Sequence, residues 1–87
     1  MDSPTDTQVT EKVIGIISEV LKIESVLIKP ESRIVEELGA DSLDKVSLLM
    51  MLEDQFGKQI SDDDAKVLLT VGDTVGLVKK LMAERDA

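Results

Sequence analysis

The chain has 87 residues, 43% of them hydrophobic and 32% charged, which is enough apolar content to fold and room for one hydrophobic core. Acidic residues number 18 against 10 basic ones, and the resulting charge of −8 repels polyphosphate and anionic lipid, arguing against nucleic-acid and membrane-surface binding. Histidine and cysteine are both absent, so Ser-His-Asp and Cys-His catalysis, disulfides and thiolate zinc sites are excluded. Residues 1–10 lack the pattern of an export signal, no apolar run approaches about 18 residues, and a thiol-free chain fits a reducing compartment. The expectation is one domain over residues 1–87, located in the cytoplasm.

Ser3-Pro4 reads as a helix N-cap and first-turn proline, and Val9, Val13, Ile16 and Val20 then recur at helical spacing to about Lys22. From Ile23 to Ala40 the periodicity lapses around Pro30 and Gly39, predicting a long loop pinned to the core by Val26, Ile28, Ile34 and Leu38. Asp41 and Asp44 have the spacing of a capping box and launch a second helix that Gly57 ends after Phe56, leaving Ser42 in its first turn. Ser61 with Asp64 precedes a short apolar piece, Val67 to Leu69. Thr70 with Asp73 precedes a last helix carrying Val71, Val75, Val78 and Met82. Gly72 and Gly76 each weaken a helix by about 1 kcal/mol relative to alanine, so the start of that helix is expected to fray. No strand pattern appears.

The second helix has two apolar stripes. At about 100° per residue, Leu48, Leu49, Leu52 and Phe56 form one, and Leu43, Val46 and Met50 form another roughly 140° away, bordered by Ser47, Glu53 and Asp54. One small bundle can hardly bury both. The second stripe is either a docking face for a basic partner or core covered by the preceding loop. Acidity is concentrated here, with nine acidic and two basic residues between positions 36 and 64. Asp62, Asp63 and Asp64 lack the alternating spacing of a calcium loop, and no metal site is expected.

Ser42 has no base to activate it and is not a nucleophile. A hydroxyl near a helix N-terminus can carry an anionic substituent, and the neighbouring carboxylates favour a singly charged phosphodiester over a dianionic phosphate; equally, such a serine can be only a hydrogen-bonding residue. The run Gly39-Ala40-Asp41-Ser42-Leu43-Asp44 closely resembles the phosphopantetheine attachment sequence of acyl carrier proteins, particularly the discrete ones of fatty acid synthesis. The similarity extends over Val35-Glu36-Glu37-Leu38, Leu52-Glu53-Asp54-Gln55-Phe56, Ile60-Ser61-Asp62-Asp63-Asp64-Ala65 and Thr70-Val71-Gly72-Asp73.

The resemblance implies an all-α four-helix bundle with a short third helix and a long loop between helices 1 and 2. It also implies 4'-phosphopantetheine on Ser42, placed by a separate transferase, whose thiol holds acyl groups as thioesters. Asp41, Leu43, Asp44, Val46, Met50, Glu53 and Asp54 then face basic patches on partner enzymes, chemistry belongs to those partners, and the carrier is a monomer. Lys45, Ser47, Met51 and Ser61 depart from the usual pattern; Lys45 and Ser47 are expected to weaken the negative field of the docking helix. An acyl tail is expected between the second and third helices, with Met50, Met51 or Leu68 adjusting, although methionines often only fill gaps. An unmodified helical adaptor is the competing reading.

Overall fold

A computed structural model describes residues 6–66 and 68–83. Among the described residues the four helices are α1 (Asp6–Leu21), α2 (Ser42–Phe56), α3 (Asp62–Lys66) and α4 (Val71–Ala83), with a short 3-10 turn at Ser25–Leu27 between the first two. Among the described residues there is no strand, only a single antiparallel bridge between Arg33 and Thr70. The all-α architecture with a short third helix and a long first loop is as the sequence predicts. The Ser3-Pro4 cap lies outside the described residues.

The core grows from the apolar stripe of α1, which packs against both α2 and α4. Val9, Val13 and Ile16 are buried as their spacing requires, and Ile17, on the flank of that stripe, is fully buried as well. Leu48 and Leu52 enter from α2 and Val71 and Val78 from α4, while Val20, Met51, Phe56, Val75 and Met82 pack partly buried around them. Lys22 closes α1 in the left-handed region, and Gly57 does the same for α2, where a φ of 66° suits a residue without Cβ.

The long loop is ordered by its own hydrogen bonds. The Ser32 hydroxyl accepts from the Lys29 N–H at 3.1 Å, and the segment from Arg33 to Ala40 coils so that Leu38 N–H donates to the Arg33 carbonyl at 3.0 Å and Ala40 N–H to the Ile34 carbonyl at 3.1 Å. Ile28 and Ile34 anchor it in the core and Leu38 is half-buried, but Val26 is 75% exposed. Val26 is therefore not an anchor: the 3-10 turn rotates it and Leu27 outward while Ile28 turns in.

The loop is also stapled to the start of α4. Ile34 N–H donates to Leu69, Val71 N–H to Ser32 at 3.0 Å and Gly72 N–H to Pro30 at 2.8 Å, all on backbone carbonyls. A Cβ at residue 72 would lie 3.2 Å from the Pro30 oxygen, so glycine there permits the close approach. The start of α4 is thus tied rather than frayed. Its cap is reciprocal: Asp73 Oδ2 accepts from the N–H groups of Leu69 and Thr70 at 3.1 and 3.0 Å, and Thr70 Oγ1 accepts from Asp73 N–H at 3.0 Å. Replacing Asp73 by alanine is expected to cost about 1 kcal/mol, seen as a lower urea midpoint with an unchanged slope.

The third helix falls on the acidic residues rather than on the apolar piece after them. The Ser61 hydroxyl caps it by accepting from Asp64 N–H at 3.0 Å. Of that apolar piece, Val67 lies outside the described residues, Leu68 is buried and Leu69 is 66% exposed.

Candidate functional site

Ser42 is the first residue of α2 and is exposed. The capping box on either side of it is complete: Asp41 Oδ1 accepts from Asp44 N–H at 2.8 Å, and Asp44 Oδ2 accepts from Asp41 N–H at 3.2 Å. Capping is therefore done by the two carboxylates, and the serine hydroxyl between them is left to solvent. Gly39, with a φ of 77°, and buried Ala40 turn the chain into this helix start. The exposed hydroxyl beside an intact cap has the access that covalent attachment of a phosphodiester arm demands.

The other stripe of α2 faces outward. Leu43 is 77% exposed, Val46 53% and Met50 63%, so the preceding loop does not cover them. Their angular positions place them beside exposed Ser47 and Asp54. Exposed Asp41 and half-buried Asp44 lie at the N-terminal end of the same helix, occupied in its cap. Glu53 is half-buried and has a structural task, since its Oε2 accepts from Ile60 N–H at 2.8 Å and holds the turn after Gly57 against α2. What this face presents outward is three apolar side chains with carboxylates around them.

Lys45 does not belong to that face. It lies on the inward meridian of α2 with Leu48 and Leu52, half-buried, so it does not dilute the outward acidic field as the sequence reading expects. Its side chain lines two adjoining spaces. One is a narrow gap of about 10 Å³ among Ile34, Leu48, Leu49, Ala65 and Leu68, no more than the room one water requires. The other is an open groove of about 140 Å³ bordered by Arg33, Val35, Glu36, Leu68 and Leu69.

Of the side chains expected to adjust to an acyl tail, Met50 is on the exposed face, Met51 packs half-buried against the core, and Leu68 lines both spaces. Arg33 is held across the groove by Glu36, 2.6 Å from its guanidinium. That hydrogen bond, and then the Glu36 charge, raise the Arg33 pKa above its ordinary value.

The sequence matches the family described as the phosphopantetheine attachment site over residues 11–78. It is 45% identical over 71 residues to an acyl carrier protein of Nitratidesulfovibrio vulgaris strain DSM 19637 / Miyazaki F, covering 82% of this chain and 93% of the relative. It is 47% identical over 70 residues to an acyl carrier protein of strain DP4 of the same species, covering 80% and 92%. A helical bundle that presents an exposed serine at a capped helix start, matched over most of its length, is a carrier domain. The chain belongs to the acyl carrier protein family, whose prosthetic group is 4'-phosphopantetheine. It is a carrier of acyl groups and not itself an enzyme.

Proposed function

We propose that Ser42 bears the 4'-phosphopantetheine arm, joined through a phosphodiester by a separate transferase, and that the carrier delivers acyl intermediates to separate enzymes of fatty acid or related polyketide synthesis. The observation that carries this reading is the exposed hydroxyl at position 42, flanked by capping carboxylates that leave it unengaged. When bound, the arm supplies a thiol that holds the acyl group as a thioester. The protein's own residues fix the point of attachment, surround it with charge and offer a surface to partners.

That surface is the outward face of α2. Leu43, Val46 and Met50 supply a small apolar contact, and Asp41, Asp44, Glu53 and Asp54 supply charge that steers a basic patch toward it. Such a contact is brief by design, which suits a carrier that must leave one enzyme for the next. The reading is of a monomeric, single-domain carrier working in the cytoplasm, in keeping with a chain that has no cysteine.

The test is the double variant Val46→Ala with Met50→Ala. Exposed positions of this kind change stability by no more than about 0.5 kcal/mol each. Loss of two central apolar contacts is expected to weaken binding to a cognate basic acyl-processing enzyme by at least about fivefold. Unchanged affinity in a titration with such an enzyme, or a large fall in melting temperature, contradicts the assignment of this face.

A further inference from the structure

The groove bordered by Val35, Leu68 and Leu69 is also lined by two cations, Arg33 and Lys45, and only one of them is committed. Arg33 is paired with Glu36. Lys45, half-buried and the only basic residue of α2, has no ion pair among the described residues. The acids nearest to it in sequence, Asp41 and Asp44, are engaged with each other's backbone in the capping box. A lysine in that position buries its alkyl stem against Leu48 and Leu68 and keeps its ammonium at the groove.

Lys45 is also three residues after Ser42 on one helix. Side chains at that spacing are neighbours, with Cβ atoms about 5–6 Å apart. Helical side chains lean toward the N-terminus, so the lysine stem leans over the turn that begins with Ser42. An anion attached at the Ser42 oxygen falls within reach of the ammonium, in a neighbourhood where Asp41, Asp44 and Glu36 otherwise repel it.

Resting on the reading that Ser42 bears the arm, we propose that Lys45 is a positioning residue: its ammonium pairs with the phosphodiester and lays the arm into the groove bordered by Val35, Leu68 and Leu69. The arm then starts on the inward side of α2, away from the docking stripe. The acyl cargo is directed toward the gap that Leu68 closes, and the outward face stays clear for partners. The one cation of α2 thereby chooses the side of the helix on which the arm rests.

The experiment compares wild type, Lys45→Gln and Lys45→Arg as 15N-labelled proteins before and after loading by a phosphopantetheinyl transferase, with intact mass confirming the gain. Loading should move the amide signals of Val35, Leu68 and Leu69 in wild type and in Lys45→Arg, and by about two- to fivefold less in Lys45→Gln, the population ratio that an ion pair of this exposure sustains. A second measurement needs no variant. Loading should slow acylation of Lys45 by an amine reagent, relative to Lys22, by a similar factor of about two to five. Equal signal movement in all three proteins, or labelling of Lys45 that loading leaves unchanged, overturns the proposal while the attachment reading stands. No mass gain at Ser42 overturns both.

Discussion

Replacing Leu52 by alanine should destabilise the bundle by about 2–5 kcal/mol. Leu52 is 1% exposed and lies in the α2 stripe that meets α1. A chain of this length belongs near the lower end of the usual 5–15 kcal/mol of total stability, so the substitution removes a large share of it. For a domain of 60–100 residues each kcal/mol moves the melting temperature by about 4–8 °C. A fall of roughly 10 °C or more in the helical circular dichroism transition is the expected result. The contrast within one helix is the informative part: Met50, only two residues earlier, is 63% exposed, and its truncation should leave the transition nearly in place. Comparable losses at Leu52 and Met50 would mean that α2 buries both of its apolar stripes.

Much of this fold is legible in the residues because its helix boundaries are written in local chemistry. Asp41 with Asp44 and Thr70 with Asp73 make the reciprocal capping hydrogen bonds their spacing announces, Ser61 Oγ accepts from Asp64 N–H, and Gly57 adopts the left-handed φ that ends α2. Helical periodicity likewise places Val13 and Val78 in the core.

What is not legible depends on contacts between segments distant in sequence. Nothing local to Gly72 announces that Pro30 would approach it, so intrinsic propensity alone predicts fraying where the structure has a hydrogen-bonded staple. Val26 and Ile28 are equally apolar, and only the 3-10 turn decides which one points inward. The third helix begins on three aspartates, which suit a helix N-terminus electrostatically, so the cap and not the apolar piece marks its place.

The site divides in the same way. Ser42 is singled out by the resemblance of the run from Gly39 to Asp44 to the family's attachment sequence, and the outward stripe of α2 follows from the helical wheel. Glu53 shows what that wheel leaves out, since its angular position marks it as a docking acid while a hydrogen bond across seven residues ties it to Ile60. Lys45 is the larger omission. A lysine beside acids reads as a change in surface charge, yet the 100° advance per residue puts it on the meridian of Leu48 and Leu52, where it borders the groove. The spacing carries that signal, and its meaning depends on the loop residues Arg33, Val35 and Glu36 and on Leu68, which line the groove with Lys45.

The largest functional effect is expected at a residue that contributes little to folding. Ser42→Ala removes one exposed hydroxyl and leaves the Asp41–Asp44 cap in place, so thermal stability should change by no more than about 0.5 kcal/mol. Carrier capacity should nevertheless vanish, because among the described residues no other hydroxyl combines exposure with the family sequence around it. Ser47 on the same helix is exposed as well, but it lies beyond the capped first turn and outside the run from Gly39 to Asp44.

Intact mass spectrometry after incubation with a phosphopantetheinyl transferase and coenzyme A tests the central claim most directly. The wild-type chain should gain the mass of one phosphopantetheinyl group, mapped by fragmentation to Ser42, and Ser42→Ala should gain none. A wild-type chain that stays unmodified beside a control carrier loaded in the same reaction, or an alanine variant that still gains the group, would contradict the account.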